Sequence, residues 1–229
     1  MVGWSEGPFM GFDTETTGVK LASDRIVTAA CVEWRHGQTR EQTWLADPGV
    51  PIPEPAQQVH GISTEYAREY GQPLEQVVTE VAQVLEACGQ AQIPVVIYNA
   101  SFDLPLLDHH LERLGLPTMR ERVEFLPIID PLVLDRALDR YRKGKRTLGA
   151  LAEFYQVRGA DSLHDALVDV RQTIAVLRAL CAAYPQLEQM DLRQLQDYQR
   201  EQYREWAQHF NQYLLSKGRS ADVNEEWLA

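Results

Sequence analysis

The feature that most constrains this chain is a change of period partway along it. Between Phe9 and Ala46 three β-rich runs follow one another: FMGFD (9–13), IVTAACVEW (26–34) and EQTWLA (41–46). TETTG forms a turn after the first, and RHGQTR, with Gly37 in the turn, separates the other two, which is the pattern of an antiparallel meander. From residue 73 onward the apolar residues recur at helical spacing, interrupted by short apolar runs. PLEQVVTEVAQVLEACG (73–89) spaces Leu74, Val77, Val78, Val81, Val84 and Leu85 at helical intervals and ends on Gly89. IPVVIYN (93–99) and FLPIID (125–130) read as strands, the first mostly apolar as befits a strand covered on both faces. SFDLPLLDHHLERLG, LVLDRALDR, RTLGALAEFYQV (146–157) and HDALVDVRQTIAVLRALCAAY (164–184) read as helices, and Pro105 fits the first of these only within its first turn. A meander followed by strands alternating with helices predicts an α/β sheet of about five strands with helices on both faces.

The proline-rich stretch DPGVPIPEPA (47–56) reads as loop. STEYAREYG after it offers an N-cap serine and a terminal glycine, the signature of a short helix. Beyond Pro185 the composition turns to Gln, Arg and Tyr, and DLRQLQDYQREQYREWAQHFNQYLLSKG reads as one long, moderately apolar helix, with a frayed tail RSADVNEEWLA. The expected division is therefore a main domain, 1–185, and a C-terminal helical extension, 186–229. At 229 residues and 45% hydrophobic content the chain can build a full core. It has no run of 18 apolar residues, so no membrane span is expected. Nor does it open on a basic region followed by a long apolar stretch, which favours a cytoplasmic protein. Cys31, Cys88 and Cys181 are odd in number and widely spaced, as for reduced, buried thiols. The net charge of −11 argues against a passive nucleic-acid binder, which needs clustered Lys and Arg. It is compatible with an enzyme whose carboxylates hold divalent cations, since such ions invert the local field.

Four acidic residues stand out by position. Asp13 and Glu15 follow the first strand with one residue between them, so both carboxylates can reach one point. Asp103 comes just after the strand 93–99, which in a parallel arrangement ends beside the first. Asp169 lies on the helix that begins near His164, five residues further on. Each has an ordinary alternative: a DxE pair is more often a solvated turn, and an Asp at a helix start is more often a cap. The same holds for His164–Asp165.

Taken in order, these segments resemble the DEDD-type 3′→5′ exonucleases, in the histidine subclass that includes the proofreading subunit of bacterial DNA polymerase III. FDTETTG (12–18), NASFD (99–103) and HDALVD (164–169) match the three motifs, while VHGI (59–62) and KRTLGALAEFY (145–155) are similar to supporting segments. One departure is Pro55, where some relatives carry a glutamate. The resemblance implies a ribonuclease H-like fold with a mixed sheet. It also implies two Mg²⁺ or Mn²⁺ ions per site, which in such sites lie about 3.5–4 Å apart. Asp13 would then bridge both ions, Glu15 and Asp169 complete the water-binding side, and Asp103 hold the second ion. Carboxylates suit these hard cations. His164 would be the general base, having an ordinary pKa near 6.5. Thr14, Thr16, His60 and Phe102 would contact the substrate, a nucleic acid with a free 3′ end, DNA in preference to RNA. The basic run Arg136, Arg140, Arg142, Lys143, Lys145 and Arg146 is either a solvated face or a track for phosphates. For the C-terminal helix three partners stay open: a polymerase, the exonuclease domain itself, and a second copy of the chain.

Three other functions compete. An HD-type phosphohydrolase would need several histidines in a ligand pattern, which the six present (His36, His60, His109, His110, His164, His209) do not form. A non-catalytic nucleic-acid or polymerase-binding module would not need all of Asp13, Glu15, Asp103, His164 and Asp169. An RNA-directed relative of the oligoribonuclease type differs in loops that discriminate the 2′-OH.

Overall fold

The computed structural model describes residues 3–157 and 165–229. β1 (Phe9–Thr16) pairs antiparallel with β2 (Ile26–Arg35), and β2 with β3 (Gln38–Asp47). His36 and Gly37, both at positive φ, make the two-residue turn between β2 and β3, the geometry that suits the twist of a hairpin. β5 (Val95–Val96) then lies parallel to β1, and β6 (Ile128–Ile129) parallel to β5. β4 (Gln72–Pro73) adds to the far edge beside β3, giving the order β4-β3-β2-β1-β5-β6. This is the mixed α/β sheet that was expected, with the two-residue β4 as an additional strand. β5 and β6 are shorter than their apolar runs, because each is preceded by a proline that can accept but not donate a ladder bond. The carbonyls of Pro94 and Pro127 accept from Met10 and Val95.

Helices cover both faces. On one, α3 (Leu74–Ala91) and α4 (Ala100–Arg113) bury Val77, Val81, Leu85 and Leu107 against Phe12, Cys31, Val95 and Ile97. On the other, α8 (Ala166–Ala183) buries Val170, Ile174 and Leu177 against Phe9, Val32, Val96 and Ile129. Each such aliphatic side chain contributes about 1.5–3 kcal/mol on full burial. All three cysteines are buried and unpaired.

Several local readings need correction. The proline-rich stretch is not all loop: α1 (Glu54–His60) starts inside it, with Pro53 at the cap and Pro55 in the first turn, where a missing N–H is harmless. α3 runs past Gly89 to Ala91; that glycine is buried under Val123 and serves close packing rather than termination. α4 starts at Ala100, so Pro105 lies in its second turn and forgoes the bond to the Ser101 carbonyl. α2 (Thr64–Tyr70) forms as expected, capped by Ser63, whose hydroxyl accepts from the Tyr66 N–H.

The C-terminal helix α9 (Leu192–Ser216) packs on its own chain. β6 is an edge strand, and an open edge leaves backbone groups unpaired. Here the Gln196 side-chain oxygen accepts from the Ile128 N–H at 2.8 Å. The Gln199 amide accepts from the Asp130 N–H at 2.7 Å and donates to the Ile128 carbonyl at 2.9 Å. Two glutamines one turn apart thus act as a surrogate strand. The tail beyond α9 is not frayed: Trp227 is buried in the α3/α4 core, and Asn211 exchanges two hydrogen bonds with Val223. No described helix is long and apolar enough to cross a membrane.

Candidate active site

The site is built at the carboxyl end of β1. Side chains alternate across a strand, so Gly11, Asp13 and Glu15 share the face that meets α8. A Cβ at Gly11 would overlap Val170 and Ile174, so only glycine lets α8 approach this closely. Asp169, the residue before Val170, is thereby delivered to the end of β1. Asp165 caps α8 by accepting from the Leu167 and Val168 N–H groups. One carboxylate oxygen from each of Asp13, Glu15 and Asp169 lies within 4.8 Å of the others.

Asp103 arrives from the opposite side of the strand. Thr14 points toward α4, and both its N–H (3.1 Å) and its hydroxyl (2.5 Å) donate to the Asp103 carboxylate. Asp103 thus sits beside the acidic triad without joining it, close enough to act on Asp13. Its placement depends on the start of α4. Asn99 has φ +64, and no side chain of its own caps the helix. The buried Asp130 does this instead, accepting from the Asn99, Ala100 and Leu132 N–H groups and placing an anion at the helix N-terminus. This positioning role was not read from the sequence, where Asp130 ends an apolar strand. An acid between a strand and Pro131 was the available signal.

The electrostatics are those of crowded anions. Burial, then the neighbouring Asp103, Asp169 and Glu15, hold the Asp13 carboxyl well above its usual range. Burial, then Asp169 and Asp103, push Glu15 up to about 7. Burial also raises Asp103 to about 7, against the lowering effect of its two bonds from Thr14. The main electrostatic influences on Asp13 and Glu15 are thus other carboxylates. Such a group is costly to bury as bare charge, and hard oxygen donors at this spacing fit a divalent cation.

Thr14 is buried and committed to Asp103. The Thr16 hydroxyl donates to the Gly18 carbonyl within the following turn. Phe102 is half-buried and packs on the α3/α4 core. His60 accepts from the Ile62 N–H through Nδ1 and lies against the backbone of Thr16, with its Nε2 buried. His60, Ile62, Tyr66 and Leu167 join Glu15 in lining a cavity of about 320 Å³ at the edge of the acidic cluster. His164 lies outside the described residues. His110, by contrast, is a core residue that accepts from the Ile26 N–H, and burial lowers it to about 4. A second network that the sequence did not reveal ties two helices together. Asp135, fully buried on α6 (Pro131–Leu138), takes ion pairs from Arg142 and Arg146 and a 2.8 Å bond from the Tyr155 hydroxyl. Tyr155 follows directly on α7 (Leu148–Phe154), so the network ties α7 to α6.

A family model described as exonuclease (RNase_T) matches residues 10–177. Among curated relatives, the PolC-type DNA polymerase III of Lacticaseibacillus paracasei is 31% identical over 173 residues, 75% of this chain and 11% of that protein. The same polymerase type of Halalkalibacterium halodurans is 30% identical over 170 residues, 73% of this chain and 11% of that protein. The chain therefore spans about 11% of the length of these relatives. Among solved structures, Exonuclease I from Methylocaldum szegediense superposes with a TM-score of 0.64 at 26% identity, covering 78% of this chain and 41% of that one. E. coli Exonuclease I in complex with a dA16 oligonucleotide shares the fold, with a TM-score of 0.67 at 19% identity over 79% of this chain and 42% of that one. The family model spans the strands and helices that assemble the acidic cluster, and the chain belongs to the DEDD-type 3′→5′ exonucleases, a family of hydrolases.

Proposed function

We propose that this chain removes nucleotides singly from the 3′ end of single-stranded DNA, in proofreading or repair. The observation that carries this reading is the convergence of Asp13, Glu15 and Asp169 on one point, with Asp103 beside them and a nucleotide-sized cavity alongside. DNA is preferred to RNA because the curated relatives are DNA polymerases and solved relatives hold DNA oligonucleotides. The exonuclease domain would be 1–185 and the C-terminal helical extension 186–229.

Two divalent cations, Mg²⁺ or Mn²⁺, would supply the positive charge that favours hydroxide at neutral pH and stabilises the departing 3′-oxygen. Asp13 would reach both, Glu15 and Asp169 would complete the water side, and Asp103, oriented by Thr14, would hold the second. His164 would take the proton from the attacking water. Water adds to the terminal phosphorus as its bond to the 3′-oxygen breaks. The strand is left with a 3′-hydroxyl and the product is a nucleoside 5′-monophosphate. His60, Tyr66, Thr16 and Phe102 would hold the terminal nucleotide.

Digestion of matched single-stranded DNA, duplex DNA and short RNA, each labelled at the 5′ end, tests this reading. Activity on single-stranded DNA that disappears in EDTA and returns with Mg²⁺ or Mn²⁺ is expected. Full activity in excess chelator would refute the metal mechanism, and degradation of RNA alone would move the chain to the oligoribonuclease type.

A further inference from the structure

We infer that a cationic, aromatic groove between α6 and α9 binds the single strand that extends 5′ from the terminal nucleotides. The inference rests on the exonuclease reading and deepens it. An enzyme that cuts at the 3′ end holds only the last nucleotides in its site, so the rest of the strand leaves over some neighbouring surface.

The groove is lined by Arg136, Arg140, Arg142, Arg146, Trp206 and Phe210 and encloses about 460 Å³. Four arginines face one lining carboxylate, Glu205, in a chain whose net charge is −11. Arg142 and Arg146 are anchored on Asp135, which fixes the floor. Arg140 is half-exposed, and its contacts with Glu205 and His209 are long, 3.8 and 3.5 Å, so it can turn outward to a phosphate.

The aromatic side of the groove is a ladder along α9. Tyr203, Trp206, Phe210 and Tyr213 follow at centroid spacings of 5.5, 5.4 and 6.2 Å. Arg136 covers Trp206 at 3.7 Å and Lys217 stands over Tyr213 at 5.6 Å, so the aromatic surface that the groove offers is the part of Phe210 left open beside its two stacked neighbours, 37% exposed. Cationic grooves with exposed aromatic faces bind single strands by phosphate contact and base stacking, with little regard to sequence.

The direction of the groove also fits. Gln196 and Gln199 pair α9 with Ile128 and Asp130 in the sense of β6, so its later residues continue past the carboxyl ends of the parallel strands. Asp13 and Asp103 stand at that same end. The link is close at Ser101, two residues before Asp103 on α4, whose side chain lies beside the Tyr203 phenol. The basic run between the second and third motifs, which the acidic site leaves without a role, thereby acquires one.

The test compares a dinucleotide with a single strand long enough to cross the groove, using the full chain, Arg140→Ala and Phe210→Ala. The ratio of kcat/KM between the long and the short substrate should fall by roughly tenfold in each variant, the loss expected for one stacked base or its equivalent. Because the dinucleotide reports the intact site, a misfolded variant loses both rates and cannot imitate this result. For Arg140→Ala the dependence of log KM on log salt for the long strand should also flatten, by about 0.7 for each phosphate that is no longer neutralised. An unchanged ratio in both variants, with wild type active on both substrates, would overturn the groove alone. A wild type that cuts neither substrate would overturn the exonuclease reading beneath it. An acidic peptide that binds the groove tightly and leaves the length preference intact would place a protein there instead, against the inference.

Discussion

Removing divalent cations should make this fold less stable as the pH rises, because its acidic cluster then holds unneutralised charge. Glu15 moves from an ordinary 4.5 to about 7 in the metal-free fold, through burial and then the nearby carboxylates. Its folded pKa therefore lies above its unfolded one. Between pH 4.5 and 7 the native state holds the proton more tightly, and stability falls as the pH rises. At about 1.4 kcal/mol per tenfold change in proton affinity, the bound on this loss is about 3 kcal/mol. Partial exposure of Glu15 to solvent reduces that figure to roughly 1–3 kcal/mol. Asp13 and Asp103 shift in the same direction, but they are coupled to the same charges and do not add independently. For a domain of this size each kcal/mol is worth about 2–4 °C, so the melting temperature in EDTA should fall by about 3–10 °C between pH 5 and pH 8. Mn²⁺ should restore it, with a gain that is small at pH 5 and largest at pH 8, since the bound cation displaces protons. Asp13→Asn removes one of the repelling charges, so in EDTA at pH 8 it should melt above wild type and gain less from Mn²⁺. Calorimetric melting of both proteins at four pH values measures all of this. A melting temperature in EDTA that stays level from pH 5 to 8, or a Mn²⁺ gain independent of pH, would refute the reasoning.

Other outcomes follow from single contacts. Gly11→Ala should push α8 outward and lower Mn²⁺ affinity by at least about tenfold through Asp169, within the 1–3 kcal/mol typical of overpacking; calorimetric titration checks it. Gln199→Leu leaves the Asp130 N–H and the Ile128 carbonyl buried and unsatisfied, at about 1–3 kcal/mol each, so thermal melting should fall by several degrees. His164→Ala should keep Mn²⁺ affinity while turnover falls about 10²–10⁴-fold, and the rise of rate with pH through the histidine titration should vanish. A loss of affinity matching that of Asp169→Ala would instead make His164 a ligand or a structural prop.

Local periodicity carried much of the fold. The meander, the alternation after it and the shared face of Asp13 and Glu15 were legible because each depends on residues close in sequence. What escaped was set by distant packing. Pro53 and Pro55 suggested loop, yet prolines suit a helix start, and a short helix gains its stability from Ile52, Ala67 and their neighbours rather than from propensity. Gly11 reads as a weak strand residue until Val170 and Ile174 are seen against it. Gln196 and Gln199 look like solvated helix residues, and only the edge of β6 explains their burial. The charged, polar tail gave no sign that Trp227 would close the α3/α4 core. At the site itself, motif order singled out four carboxylates, but not that Asp103 docks on Thr14 from the other side of β1 while Asp13, Glu15 and Asp169 converge.

The most direct test of the central claim is the chemistry of the ends. Single-stranded DNA labelled at the 5′ end should shorten from the 3′ end in single-nucleotide steps when Mg²⁺ or Mn²⁺ is present. The released products should be nucleoside 5′-monophosphates, and Asp13→Asn should abolish both. A 3′-blocked strand degraded as fast as a free one, or products carrying 3′-phosphates, would contradict the account.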